Sequence, residues 1–206
     1  MGALIEQGVA ARAFPGEHIS GDRALVRPFP QGVLAAAVDG LGHGEAAGDA
    51  AGIAIDTLES HAAEEPAALV QRCHRALKNT RGVAMSLASI NASDGMMTWL
   101  GVGNVDGLLL RISASPPTRE ALLMRGGVVG YQLPPLRAYR LSVNTGDLLI
   151  FATDGVHSDF ARGLTSGDPL LRHQPVQEIA DYLLARFGKT TDDALVLVIR
   201  YLGPVP

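Results

Sequence analysis

Short apolar runs that each carry an aspartate at one end constrain this chain most. Asp39 closes the run Gly32-Val33-Leu34-Ala35-Ala36-Ala37-Val38, and Asp154 closes Leu148 to Thr153. Asp22 and Asp192 stand just ahead of Ala24-Leu25-Val26 and of Ala194 to Ile199. Aliphatic runs of this length read as buried strands. In an antiparallel sheet the end of one strand lies beside the start of its neighbour, so these aspartates can meet at one edge. Carboxylates gathered there repel one another unless cations hold them. The pattern points to a site for hard metal ions, and so to hydrolytic chemistry.

Residues 4–13 and 24–39 read as strands, the second stretch divided around a turn by Pro28 and Pro30. Residues 45–61 switch to a helical period. Ala47, Ala51, Ala54, Ile55 and Leu58 share one face, and Glu45, Asp49, Asp56 and Glu59 the other. A second helix starts at Pro66, with Leu69, Cys73, Ala76, Leu77 and Thr80 as its apolar stripe and Gly82 as its C-cap. From 83 to 152 the chain reads as strands and turns. Asp94-Gly95 and Asp106-Gly107 are expected hairpin turns, and loops are expected at Ser115-Pro116-Pro117-Thr118 and around Pro134-Pro135. A third helix begins at Pro175, carries Val176, Ile179, Ala180, Leu183 and Phe187 on one side, and ends at Gly188. The strand Ala194 to Tyr201 follows, and the polar stretch 157–174 is expected to be a mobile loop near the site.

Helices do not alternate with strands, which excludes a doubly wound sheet. The expected fold class is α+β, an antiparallel β-sandwich flanked by helices, in a single domain over 1–206. A net charge of -4 and the lack of a basic run argue against nucleic acid as a partner. The lone Cys73 rules out an internal disulfide and suits a reducing compartment. No apolar run reaches the ~18 residues of a membrane span, and no signal-peptide pattern opens the chain. A soluble, cytoplasmic protein without membrane contact is expected. Cys73 lies on an apolar stripe and reads as a structural thiol, while His61 and His74 read as ordinary helix residues. Trp99 reads as core, and His157 falls close enough to Asp154 to approach the site.

The sharpest local motif is Asp39-Gly40-Leu41-Gly42-His43-Gly44, which joins a buried strand to the alanine-faced helix. Its glycines let the backbone turn tightly and approach a ligand closely. Gly42 to Ala47 satisfies a loose dinucleotide-binding GxGxxA. However, a second helix follows where that fingerprint requires a strand, and Asp39 would repel a pyrophosphate. A plain glycine-rich turn is the bland alternative.

Ser20-Gly21-Asp22, Asp39-Gly40-Leu41-Gly42-His43-Gly44, Asp154-Gly155 and Asp192-Asp193 occur in this order across nearly the whole chain. In that order the chain resembles the metal-dependent serine/threonine phosphatases of the PP2C class. The closest branch is SpoIIE-like, and the short stand-alone form is similar to RsbX-type phosphatases of bacterial stress signalling. The resemblance implies two Mn2+ or Mg2+ ions bridged by Asp39. The Gly40 carbonyl, Asp154 and Asp192 would be further ligands, and Asp22 would stand near the metals, acting through bound water. Asp39 and Asp154 are thereby the implied catalytic residues; Asp192 is the match in the Asp192-Asp193 pair, and the resemblance leaves open which of the two is the ligand. Oxygen-only ligands suit Mg2+ and Mn2+ and argue against zinc. The implied reaction is hydrolysis of phosphoserine or phosphothreonine by a metal-activated water, with the ions ~3.5–4 Å apart.

Where many eukaryotic members carry a histidine two residues after the bridging aspartate, this chain has Leu41, and its histidine falls at 43. Asn104, in Gly103-Asn104-Val105-Asp106, replaces an aspartate that can help hold a third ion. Arg12 and Arg23 are candidates by position for binding the phosphate. The implied partner is a phosphorylated protein, such as a stressosome protein or an anti-sigma antagonist, and a monomer suffices. A catalytically silent binding module of the same fold is the alternative function, and hydrolysis of a small phosphorylated metabolite is a third.

Overall fold

A computed structural model describes residues 3–112, 119–164, 171 and 173–204. The expected loop at Ser115 to Thr118 lies outside the described residues. The strands are β1 (Ile5–Arg12), β2 (Asp22–Phe29), β3 (Gly32–Gly40), β4 (Val83–Asn91), β5 (Met96–Val102), β6 (Asp106–Leu110), β7 (Arg119–Ala121), β8 (Tyr139–Ser142), β9 (Leu148–Ala152) and β10 (Ala194–Tyr201). The helices are α1 (Glu45–Ser60), α2 (Pro66–Ala76), the short α3 (Phe160–Gly163) and α4 (Val176–Phe187).

The strands form two five-stranded sheets, ordered β1-β10-β9-β6-β7 and β2-β3-β4-β5-β8. Every pairing within them is antiparallel. Strand alternation sorts the side chains into layers. In β3, Val33, Ala35 and Ala37 face the other sheet and share a core with its Leu195, Leu197, Ile199 and Phe151, and with Trp99 of their own sheet. Leu34, Ala36 and Val38 face outward and are covered by α1 and α2 through Ala50, Ala54, Leu58, Leu69 and Cys73. On the far side α4 covers Val196, Val198 and Ile150 with Ile179, Ala180 and Leu183. Both faces of each sheet are thus buried, which is why these runs are continuously apolar. The expected α-β-β-α sandwich is what forms.

Several local expectations shift. The hairpin turn expected at Asp106-Gly107 does not form: the chain turns three residues earlier, at Gly103 with φ +93, to pass from one sheet to the other, and Asp106 already begins β6. The Asp94-Gly95 hairpin forms as expected, with Gly95 at φ +63. Helix α2 stops at Ala76 with Leu77 as its cap, so neither Thr80 nor Gly82 belongs to it. Thr80 instead ties the following turn. Its hydroxyl donates to the Leu77 carbonyl at 2.8 Å and accepts the Gly82 N–H at 3.0 Å. The stretch 157–174 is not polar loop throughout, because Phe160, Leu164 and Leu171 are buried under the outer face of the first sheet.

Helix α4 packs on β1 backbone to backbone. A Cβ on Gly8 would stand 2.5 Å from the Gln177 amide nitrogen. The Gln177 side chain then serves the edge strand: its Oε1 accepts the Val9 N–H at 3.0 Å and its Nε2 donates to the Val9 carbonyl at 2.8 Å. Covering an edge strand's free groups this way also blocks pairing with another chain. Replacing Gly8 by alanine must push α4 off the sheet, with an expected loss of about 1–3 kcal/mol by chemical denaturation. Gln177→Ala should cost about 1 kcal/mol. Equal stability of Gly8→Ala and the parent would contradict this packing.

Candidate active site

The β2–β3 register sets Asp22 directly opposite Asp39. Opposed residues on one face of an antiparallel pair hold their Cβ atoms ~4.5–5.5 Å apart, so the two carboxyls share one small space. Alternation turns both toward the other sheet, the side that Ala24, Val26, Ala35 and Ala37 also face. There the chain leaving β9 brings Asp154, and the chain entering β10 brings Asp192 and Asp193. Asp39, Asp154 and Asp192 line one open cleft of about 480 Å³, with Leu41, Gly42, His43, Gly103, Asn104, Gly127, Val128 and Thr191. Asp22 lies behind that wall and is buried. The edge meeting expected from the sequence therefore takes place.

Each carboxylate has a distinct surrounding. Thr153 donates its hydroxyl to Asp22 at 2.6 Å, and its own Oγ1 accepts the Leu195 N–H at 2.9 Å, which ties the two sheets together under the site. Asp193 is committed to backbone: its oxygens accept the Phe14 N–H at 2.8 Å and the Gly21 N–H at 2.9 Å. Asp192 accepts the Asp193 N–H at 2.9 Å and keeps its place on the cleft wall. Asp154 accepts the Asn104 amide at 2.5 Å, while the Lys189 ammonium donates to its backbone carbonyl. Sequence reading missed this use of Lys189. The contact joins two separate loops, and no local spacing signals it.

Burial pushes the Asp39 carboxyl up from 3.8 to about 8, with the charges of Asp22, Asp154 and Asp192 adding to the effect. Asp22 is raised to about 7, again first by burial, against the lowering effect of the Thr153 hydroxyl. Asp154 is raised by burial and by Asp192, and partly restored by Lys189 and Asn104. Among the described residues no three His, Cys, Asp or Glu side chains already converge on one point as a finished metal site. The donor chemistry nonetheless fits Mg2+ or Mn2+. It is all oxygen, it concentrates unneutralised carboxylates, and it lines a wet cleft with room for the waters such ions retain.

Gly40 does not line the cleft. It is needed for close packing, since a Cβ there would lie 2.2 Å from the Ala47 carbonyl oxygen of α1. Its own carbonyl oxygen sits 3.2 Å from where a Gly21 Cβ would stand, as does an Asp193 carboxylate oxygen. His43 stacks on Phe14 with ring centroids 4.7 Å apart, and its Nδ1 lies 3.1 Å from Glu17. It thus fastens the glycine loop. His157 is exposed and stands outside the cleft lining. Neither expected arginine reaches the cleft floor. Arg12 donates to the Lys189 carbonyl, and Arg23, opposite Val38, is on the helix-facing side of β2.

A fold of two packed antiparallel sheets between helices, with aspartates at the strand ends beside a glycine loop, is that of PP2C-class phosphatases. Residues 30–202 match the family Stage II sporulation protein E (SpoIIE), and the chain belongs to it. The chain is 27% identical over 180 residues to the phosphoserine phosphatase RsbX of Bacillus subtilis (strain 168), covering 86% of this chain and 85% of that protein. It is 30% identical to a chain solved in work on the bacterial stressosome as a modular system adapted to control secondary messenger signalling. That match has a TM-score of 0.84 and covers 95% of this chain and 99% of the other. A structure of RsbX in complex with magnesium superposes with a TM-score of 0.83 at 24% identity, over 98% and 97% of the two chains.

The raised carboxyls fix a sign for the metal-free protein. Protonation of Asp22 and Asp39 supports the fold fully below the ordinary value of 3.8, and this support is lost as pH climbs through about 7 and about 8. In EDTA the melting temperature should therefore fall as pH rises over that window. Asp39→Asn should flatten the fall and melt higher than wild type at the alkaline end. A flat wild-type profile would contradict the burial of these two carboxyls as an uncompensated pair.

Proposed function

We propose that this protein is a Mg2+- or Mn2+-dependent phosphatase of phosphoserine or phosphothreonine proteins, acting in a bacterial stress-signalling circuit of the partner-switching, stressosome kind. The observation that carries this reading is the opposed Asp22–Asp39 pair, joined by Asp154 and Asp192 at one cleft. Membership of the SpoIIE family and similarity to RsbX support the substrate class. The match to a stressosome-associated chain supports a phosphorylated regulatory protein, a stressosome component or an anti-sigma antagonist, as partner. Among the described residues no helix is long and apolar enough to cross a membrane, and the reading places the protein in the cytoplasm.

Asp39 would hold both ions, Asp154 and Asp192 would complete the carboxylate set, and the Gly40 carbonyl would add a neutral donor. Asp22 would act from behind through water. When bound, the ions would supply a water acidic enough to be nucleophilic near neutral pH and positive charge against the phosphoryl oxygens. The chain's own contribution is orientation. Asn104 holds one oxygen of Asp154, and Thr153 fixes Asp22 against Asp39. Asp193 is kept out of the ligand set by its two backbone bonds, which pin the turn ahead of β2 and the segment before it. The cleft is open and broad, suiting a phosphorylated side chain on a protein surface more than a fully enclosed metabolite.

The test is hydrolysis of p-nitrophenyl phosphate and of a phosphoserine protein in EDTA, Mg2+ or Mn2+. Wild type should turn over only with metal, and Asp39→Asn should lose activity by about a hundredfold or more. Activity that survives EDTA, or partner binding with no turnover under any metal, would favour the silent binding module. A second comparison separates the adjacent aspartates. Asp192→Asn should weaken metal binding by calorimetry with little change in melting, whereas Asp193→Asn should lower the melting temperature even in EDTA.

A further inference from the structure

Arg81 stands against the outer side of the glycine loop that walls the acidic cleft, in a neighbouring hollow with Ala46, Asp49, Asn79 and Thr80, and the proposed mechanism gives it no role. It stands in the turn between α2 and β4 and is exposed. Its Nη1 comes within 2.6 Å of where a Cβ on Gly42 would be, so the guanidinium lies against the bare backbone of a cleft-lining residue. Gly42, at φ +88, leaves that place open. The turn itself is held on both sides. The Leu41 N–H donates to the Gly82 carbonyl at 3.1 Å, and a Cβ on Gly82 would meet Val128 Cγ1 at 2.6 Å. Leu41 and Val128 both line the cleft, so Arg81 is carried by a turn wedged between two of its walls.

Among the described residues Arg81 makes no hydrogen bond or ion pair. Arg12 is committed to the Lys189 carbonyl and Lys189 to the Asp154 carbonyl, while Arg125, whose carbonyl accepts the Gly103 N–H, keeps its Nε buried rather than presented to the cleft. Asp39, Asp154 and Asp192 line the cleft, and Asp22 and Asp193 are packed close behind them. Divalent ions and Lys189 together do little more than neutralise them. A phosphate monoester entering as a dianion therefore gains from one more positive charge, and Arg81 is the cation placed to supply it from outside.

We propose that Arg81 binds the phosphoryl group of the substrate from the cleft rim, its planar fork donating paired hydrogen bonds to oxygens turned away from the carboxylate floor. This rests on the phosphatase reading and adds to it the group that recognises the anion. The test uses the full chain with Mn2+, p-nitrophenyl phosphate as substrate and inorganic phosphate as competing product. Arg81→Ala should raise both KM and the inhibition constant of phosphate by about tenfold, the low end for a charged hydrogen bond at an exposed site. Arg81→Lys, which keeps the charge but not the fork, should recover part of each. If the alanine variant melts early, Arg81→Gln replaces it.

Constants that stay within about twofold in both variants, against an active wild type, would overturn the assignment to Arg81 alone. A weakening confined to a phosphoprotein, with the phosphate inhibition constant unmoved, would also overturn it, because the contact would then be to another part of the substrate. A wild type with no metal-dependent turnover, indistinguishable from Asp39→Asn, would overturn the phosphatase reading and this inference with it.

Discussion

Two carboxyl groups placed opposite one another at the end of a buried hairpin, Asp22 and Asp39, are the interaction around which this molecule is arranged. Such a pair is costly. Burial removes the water that would solvate each charge, and proximity adds repulsion. The surrounding structure bears on that cost from two directions. Thr153, rising from the other sheet, satisfies Asp22, and backbone amides from two separate segments satisfy the neighbouring Asp193. Among the described residues none donates a comparable hydrogen bond to the Asp39 carboxylate. The sandwich thus steadies the outer members of the cluster and leaves the central one dependent on what enters the cleft.

Small residues make this concentration sterically feasible. A Cβ on Gly155 would lie 1.7 Å from the Asp193 carbonyl oxygen, so the loops bearing Asp154 and Asp193 touch through their backbones. Gly40 does the same for α1 at Ala47, and a Cβ on Gly21 would crowd the Ala47 methyl at 2.9 Å. The alanine face of α1 follows from this requirement. A helix that must sit close over β3 can present only small side chains where the strand ends in its acidic turn. The packing of the outer layer and the geometry of the site are therefore one constraint, read at two places in the sequence.

What was legible beforehand follows the same division. Apolar runs, their period and the aspartates at their ends are local properties. They were enough to give the two sheets, the three longer helices and the meeting of Asp22, Asp39, Asp154 and Asp192. The turn at Gly103 was misplaced because an Asp-Gly pair is a strong turn signal, and sheet pairing of Asp106 with Ala152 overrode it. Thr80 was placed in α2 because it continues the helical period, but its hydroxyl caps the turn beyond the helix end. Phe160 and Leu164 were lost in a polar stretch, although both are buried. Arg81 and Lys189 were not legible as site residues at all. Their approach to Gly42 and to Asp154 is a fact of how separate loops dock, and no spacing within either segment encodes it.

The choice between an enzyme and a silent module of the same fold can be argued from this cost. A protein that only binds a partner gains nothing from keeping a buried carboxylate at the centre of a repelling cluster. Asparagine at position 39 would preserve shape and hydrogen bonding while removing the repulsion. The chain instead keeps aspartate there and places Asp154 and Asp192 on the same wall, with Lys189, bonded to the Asp154 backbone carbonyl, offsetting only part of the effect at that one carboxyl. Charge left uncompensated in this way is useful only where a cation completes it. The energetic defect of the metal-free fold is on that account the strongest physical argument for the proposed metal-dependent reading over the silent module.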